Sequence, residues 1–416
     1  MTKLKRKDFL RLAALAPSSV HWPSWMPRLS FAPTGSGPRG DTLVVVFLRG
    51  AADALNILVP HGEEAYYQAR PTLAIGRPDD SRYSSDERAI DIDGFFGLHP
   101  KLASLLPAME EGQLGIVQAC GAPDESRSHF KAMELMERGV SDEHGPASGW
   151  IGRHLSGYDT GNSSPLRAIG LGASVARSLH GSVPVSALRS ITDFHLGGDS
   201  TGRQLKRTLR ALHTNQENVS SVGQETLNML DTLEELNPAD YKSVGEAAYP
   251  QSEFGSALLQ VAMLIKAEVG LEVAAIDVGG WDTHFAQGSE NGLMANLLSD
   301  LGAGLAAFHA DLEAQMGSIS LVVMSEFGRR VHENASLGTD HGHGTMMMLM
   351  GGNLTGGKVM GEWPGLEEGS LFGPGDLAVT SDYRDVLAEV ISKRLNNSAI
   401  DRVFPGYSPV IRDFLK

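Results

Sequence analysis

Residues Leu43-Val44-Val45-Val46-Phe47-Leu48 form an unbroken β-branched and apolar run that stops at Arg49-Gly50. A run without polar alternation suits a strand buried on both faces of a parallel sheet, which points to the α/β class. The rest of the chain keeps the matching rhythm. Leu102 to Glu111 reads as a helix, Leu114 to Ala119 as a strand and Ser128 to Arg138 as a helix. Gly170 to Leu188 reads as irregular or short-strand structure, and Gly202 to Leu236 and Phe254 to Val269 carry helical periodicity. Strands then follow at Leu271 to Val278, Ile319 to Met324 and Thr345 to Met350, with helices at Leu293 to Gln315 and Asp382 to Arg394. This βαβ alternation predicts one large α/β domain over 41–416, mostly parallel, with a polar inserted helical segment near 190–250. No repeat of solenoid or propeller period occurs.

The 416 residues carry 35 Lys+Arg against 50 Asp+Glu, a formal net charge of −15 that argues against a nucleic-acid partner. Cys120 is the single cysteine, so neither an intramolecular disulfide nor a Cys-based zinc site can form. Any metal site must draw on the 14 histidines and the acids. No run of 18 apolar residues is present, so no transmembrane helix is expected. Residues 1–40 read as an export signal and linker. Lys3, Lys5, Arg6, Lys7 and Arg11 precede the apolar stretch Leu12 to Ala16, followed by a Pro/Ser/Gly-rich segment to Gly40. Arg6-Lys7-Asp8-Phe9-Leu10-Arg11 resembles the twin-arginine pattern, with Lys7 in place of the second arginine. Export through the twin-arginine translocase and a periplasmic or secreted location are therefore expected.

In open α/β sheets, ligands bind outside the carboxyl ends of the strands, and four loops of that kind carry unusual polar groups. They are Arg49 to Asn56 with Asp53, Gly279-Gly280-Trp281-Asp282-Thr283-His284, Ser325-Glu326-Phe327-Gly328-Arg329-Arg330, and Gly338-Thr339-Asp340-His341-Gly342-His343-Gly344. Imidazole nitrogen and carboxylate oxygen suit zinc, manganese or iron. Asp53, Asp282, His284, Glu326, Asp340, His341 and His343 are enough in number for one or two ions. Against this, Asp53 can serve as a helix cap, Glu326 can pair with Arg329 or Arg330, and Asp282 can form an Asx turn. The glycine-flanked His341-Gly342-His343 triplet favours metal binding most, because such histidines seldom serve packing. A candidate nucleophile lies in Asp124-Glu125-Ser126-Arg127-Ser128-His129-Phe130, ahead of a helix whose dipole favours an activated hydroxyl. Ser126 and Ser128 are equal candidates, Arg127 can hold an anion, and His129 completes the catalytic set. The competing reading makes Ser128 a simple N-cap.

These blocks, together with Gly97-Leu98-His99-Pro100, Asp382-Tyr383-Arg384-Asp385 and Val403-Phe404-Pro405-Gly406, resemble the signature blocks of the bacterial domain of unknown function 1501. The resemblance spans nearly everything from Thr42 to Leu415. It implies a twin-arginine signal and a distant relation to the alkaline phosphatase and sulfatase superfamily. That relation in turn implies a three-layer α/β/α sandwich, two metal sites and a hydroxyl nucleophile. By this resemblance Asp53 matches the metal-binding aspartate after the first strand, and Asp282 and His284 match the opposite site at closer spacing. Either Glu326 or the triplet Asp340-His341-Gly342 stands for the superfamily's Asp-His-Gly motif. Cys120-Gly121-Ala122-Pro123-Asp124 does not match the signal for formylglycine formation, which disfavours that class of sulfatase. The expectation is an exported hydrolase of phosphate or sulfate esters, small-molecule or polysaccharide. It would use one or two divalent ions, zinc, manganese or calcium. The alternative is a degenerate metal-binding scaffold acting as an exported assembly partner.

Overall fold

The computed structural model describes residues 41–416 apart from 163, 173, 174, 184, 189–206, 209–226, 228, 229, 232, 234–240 and 246. The expected export segment and most of the expected insertion near 190–250 lie outside the described residues. The strands are β1 Thr42–Leu48, β2 Leu58–Val59, β3 Ile90–Asp91, β4 Gly97–Leu98, β5 Leu114–Gly121, β6 Ala168–Leu171 and β7 Ser186–Leu188. They continue as β8 Val273–Val278, β9 Ile319–Ser325, β10 Arg329–Glu333, β11 Thr339–His341, β12 Thr345–Gly351, β13 Val359–Met360 and β14 Ser381–Asp382. The longer helices are α1 His129–Arg138, α2 Trp150–Gly157, α3 Glu253–Lys266, α4 Leu293–Asp311 and α5 Tyr383–Glu389.

Nine strands make the central sheet in the order β13-β5-β12-β9-β1-β8-β6-β7, with β14 also on β5. All pairs are parallel except those of β12, which runs antiparallel to β5 and β9. The fold is thus the expected α/β class with a mostly parallel sheet, and the run at Leu43–Leu48 lies at its centre. Its side chains alternate between two cores. Val44, Val46 and Leu48 pack with Leu258 and Val261 of α3 and Leu298, Leu301 and Leu305 of α4. Leu43, Val45 and Phe47 pack with Trp150 and Ile151 of α2 and Val386 and Leu387 of α5. Helices on both faces give the three layers. Burial of an aliphatic side chain contributes about 1.5–3 kcal/mol, so a doubly covered strand is worth far more than a half-exposed one.

Helix ends follow local chemistry. Ser252 caps α3 by accepting from the Gly255 amide at 2.9 Å, and Asp382 caps α5 by accepting from the Arg384 amide at 2.9 Å. Three expected helices are split: Pro100–Leu105 is 3-10 before an α-helical turn at Leu106–Glu110, α4 gives way to a 3-10 turn at Glu313–Ser318, and α5 gives way to a π-helical turn at Val390–Arg394. Because β12 runs against its neighbours, its start lies at the edge where β1, β5, β8 and β9 end. The loops carrying the polar blocks therefore meet at one edge of the sheet. No helix among the described residues is long and apolar enough to cross a membrane.

Candidate metal centre

The convergence begins with a tight backbone crossing. Gly50 follows β1 with φ +120°, and a Cβ there would sit 2.6 Å from the Asp282 amide nitrogen, so only glycine lets the two loops touch. Arg329, at the start of β10, ties the crossing together from a fully buried position. Its guanidinium donates to the carbonyls of Ala51 (2.7 Å), Gly50 (2.5 Å), Trp281 (3.1 Å) and Thr339 (2.8 Å), and to Asp282 Oδ1 (2.6 Å). In the β10–β11 hairpin Arg329 stands opposite His341, which delivers that imidazole to the same place.

Asp282 Oδ1 is the focus. His341 Nε2 lies 3.2 Å from it, His284 Nε2 3.2 Å and His129 Nε2 3.5 Å. Among the described residues, His129, Asp282 and His341 form a group whose ligand atoms all lie within 4.8 Å of one another, close enough to hold a metal ion. His284 stands beside this group and is not part of it, with Nε2 at 2.8 Å from His341 Nε2.

The far nitrogen of each ring is engaged by an acceptor. His129 Nδ1 is 2.7 Å from Glu326 Oε1, His284 Nδ1 is 3.0 Å from Asp340 Oδ1, and His341 Nδ1 is 2.8 Å from the Arg127 carbonyl. A carbonyl or carboxylate can only accept, so each Nδ1 donates a proton, and in a neutral ring of this tautomer Nε2 is the lone pair that faces Asp282. Two bare lone pairs 2.8 Å apart repel unless a proton or a metal ion lies between them. His129 Nε2 is buried and makes no hydrogen bond at all. Imidazoles whose other N–H is held by a carboxylate or carbonyl are the usual support of a metal ligand. A tetrahedral ion with bonds of about 2.0–2.1 Å sets its ligand atoms roughly 3.3 Å apart, and the separations of 3.2 Å and 3.5 Å from Asp282 Oδ1 to His341 and His129 bracket that value. The donor set therefore fits a divalent ion.

Partial burial opposes the Asp282 charge, but the hydrogen bond and charge of Arg329 overcome it and hold the carboxyl at about 2. The hydrogen bond to Glu326 raises His129, whereas burial lowers His341.

Other sequence candidates lie around this focus. Asp53 is buried in a fork with Arg70 (2.6 and 2.9 Å) and accepts from Gln287 Nε2 at 2.6 Å, so both its oxygens are engaged. Glu326 does not pair with Arg329 or Arg330. It orients His129 and accepts from the Gly50 amide at 2.9 Å. Asp340 orients His284 and is itself held low by the hydrogen bond from Asn334. His343 is buried against Phe372, with ring centroids 4.6 Å apart, and its carbonyl accepts from the Gly328 amide at 3.0 Å. Ser126 Oγ accepts from the Ser128 amide at 3.2 Å, while Ser128 occupies the N-cap position of α1 without a side-chain capping bond. Arg127 pairs with the buried Asp376 and retains a third of its side-chain exposure. Cys120 is buried within β5. The sequence alone gives no role to Arg70, Gln287, Asn334 or Asp376, and offers Arg329 only as a partner of Glu326. Arg329 does carry a signal, being a charged residue four positions past the end of β9 in a Gly-Arg pair.

Residues 41–393 match the family described as "Protein of unknown function (DUF1501)". The chain belongs to this family. No curated protein matches it in sequence. Among solved structures, this DUF1501 chain is similar to the C-terminal periplasmic domain of EcEptC from Escherichia coli, described in complex with Zn. The identity is 10%, covering 79% of this chain and 77% of that one, with a TM-score of 0.33. It is also similar to the phosphonate monoester hydrolase of Agrobacterium radiobacter, with 10% identity, 90% and 79% coverage and a TM-score of 0.33. A third is the alkaline phosphatase of the Antarctic bacterium TAB5, with 8% identity, 78% and 94% coverage and a TM-score of 0.27.

Proposed function

We propose that this DUF1501 chain is an exported, metal-dependent hydrolase of phosphate or sulfate esters that works through a serine hydroxyl. The observation that carries the reading is the set of three imidazoles, each tied at Nδ1 and turning Nε2 toward Asp282 Oδ1. His129, Asp282 and His341 would hold the ion, with His284 beside them. When bound, it would supply Lewis-acid polarisation of the ester oxygen and favour an oxygen nucleophile at neutral pH.

The chain's own groups do the rest. Because the Arg127 carbonyl accepts from His341, the turn Ser126-Arg127-Ser128 is tethered to the cluster, and its hydroxyls stand within one residue of that tether. The Ser126 or Ser128 oxygen would bond to phosphorus or sulfur as the bridging ester oxygen departs, the hydroxyl proton passing to the leaving alkoxide. Water then displaces the serine and releases the inorganic anion. Arg127, oriented by Asp376, would hold the anionic group through this exchange. Export to the periplasm or beyond is supported by the order of basic and apolar residues in segment 3–16.

A second reading is favoured by Arg329. Its guanidinium already binds Asp282 Oδ1 at 2.6 Å, so the cluster can also close as an ion-pair network in an inactive scaffold. Metal analysis by mass spectrometry on chelator-free protein decides between them. About one or two equivalents of a divalent metal, lost in Asp282→Ala/His341→Ala, support the hydrolase; none in either protein supports the scaffold. On an ester panel, single Ser126→Ala and Ser128→Ala variants should identify the nucleophile by a loss of at least about tenfold. If neither variant shows that loss, the covalent route is wrong.

A further inference from the structure

Among the described residues only two phenylalanines are exposed, and each directly follows a histidine of the metal centre. Phe130 is 89% exposed and Phe285 73%. Their preceding residues, His129 and His284, reach the same oxygen of Asp282, so both exposed rings lie one residue from the same focus. A third apolar group joins them. The backbone bonds Ala286 N–H to Ser336 carbonyl (3.0 Å) and Gln287 N–H to Leu337 carbonyl (2.8 Å) lay the Leu337 turn beside the Phe285 segment. Leu337 is 52% exposed at φ +56°, a backbone conformation that glycine or asparagine adopts at lower cost. Neither packing nor backbone preference accounts for a leucine there. Phe130 is likewise off the packing face of α1, which buries Ala132, Leu135 and Met136.

Single exposed apolar side chains are ordinary on a protein surface, but three around the mouth of one polar site form a rim. Resting on the hydrolase reading, we propose that the substrate is an amphiphilic ester whose anionic head enters the metal centre while its alkyl or aryl part lies against Phe130, Phe285 and Leu337. Two observations favour this occupant over larger ones. Three side chains are far fewer than the 20–30 residues per side of a stable protein interface. A net charge of −15 opposes docking on an anionic lipid surface.

The test reads binding, apart from turnover. Zinc-loaded protein is titrated calorimetrically with butyl-, hexyl- and octylphosphonate, whose C–P bond is not an ester. A fully buried methylene is worth about a fourfold gain in affinity, so partial burial of four of them predicts at least a tenfold gain from butyl to octyl. In Phe130→Ser/Phe285→Ser the gain should fall below about threefold, while butylphosphonate binds as before. Both rings are exposed, so folding is not at risk. A flat series in the wild type, an unchanged slope in the variant, or no saturable binding of octylphosphonate overturns the proposal. So does a flat series accompanied by binding to phosphatidylglycerol vesicles that the double variant loses, which would assign the rim to a membrane. The two readings fail separately. Length-dependent phosphonate binding with no alcohol released from octyl phosphate or octyl sulfate keeps the rim and removes the hydrolase, whereas turnover of the butyl and octyl esters at equal kcat/KM, with a flat phosphonate series, does the reverse.

Discussion

Glu326 lies at the end of β9 with 1% exposure, and its use of that position separates a ligand from the group that aims a ligand. It faces His129 Nδ1 at 2.7 Å while Nε2 of the same ring points to Asp282. Replacing Glu326 by glutamine keeps the acceptor for the Gly50 amide but removes the charge that favours Nδ1–H. Zinc affinity, measured by competition with a chromophoric chelator, should fall about 10–100-fold, the usual cost of a lost supporting carboxylate. Asp53 makes the contrasting case. Its carboxylate is the counter-charge of the fully buried Arg70, which also donates to the Asn56 side chain and the Val331 carbonyl. Asp53→Asn strands that guanidinium, and removing one partner of a buried pair costs about 3–5 kcal/mol. Urea unfolding should show that loss, while the folded fraction keeps its metal stoichiometry. A variant that loses metal without losing stability would instead make Asp53 a ligand.

At the scale of elements, apolar runs were legible and polar ones were not. β1, β5, β8, β9 and β12 are buried along almost their whole length, so hydrophobicity marks them in the sequence. The β10–β11 hairpin is not marked, because Arg329-Arg330-Val331-His332-Glu333 and Thr339-Asp340-His341 have no apolar period and owe their pairing to the buried Arg329. Strand direction was also hidden: nothing in Met346 to Met350 distinguishes a parallel from an antiparallel neighbour. The histidines and acids of the site could be read as residue types in loops, but not which of them would aim and which would point, since that depends on buried partners such as Glu326 and the Arg127 carbonyl. His99 illustrates the same gap in a quoted block. Its Nδ1 accepts from the Lys101 amide at 3.1 Å, capping Pro100–Leu105, and Nε2–H donates to the Ser289 carbonyl at 3.0 Å. Burial pushes its pKa down to about 4. The unfolded chain, with an ordinary value near 6.5, then binds more protons between pH 6.5 and 4. Stability from this group is present above pH 6.5 and is lost as pH falls toward 4, by about 3 kcal/mol over the window. Denaturant titrations at stepped pH should show the decline, and His99→Asn, which caps without titrating, should flatten it.

Across the whole molecule, the proposed ligands come from segments far apart in the chain: residue 129 from the start of α1, 282 from the loop after β8, and 341 from the end of β11. Parallel strands bring these segments to one sheet edge, where three imidazoles crowd a carboxylate already paired with Arg329. A metal ion that binds only this assembled arrangement stabilises the native state by RT ln(1 + [metal]/Kd), about 2.7 kcal/mol at a hundredfold excess over Kd. For a domain of this size each kcal/mol moves the melting temperature by about 1–2 °C, so zinc added to chelator-stripped protein should raise Tm by roughly 3–5 °C. The shift should be absent in Asp282→Ala/His341→Ala. Metal also connects loops that carry Phe130 and Phe285, so the same addition should protect the backbone amides of 284–292 from hydrogen exchange more than those of β1, already buried at the sheet centre. If zinc changes neither Tm nor exchange in the wild type, the Arg329–Asp282 pair closes the cluster by itself, and the scaffold reading takes the place of the hydrolase.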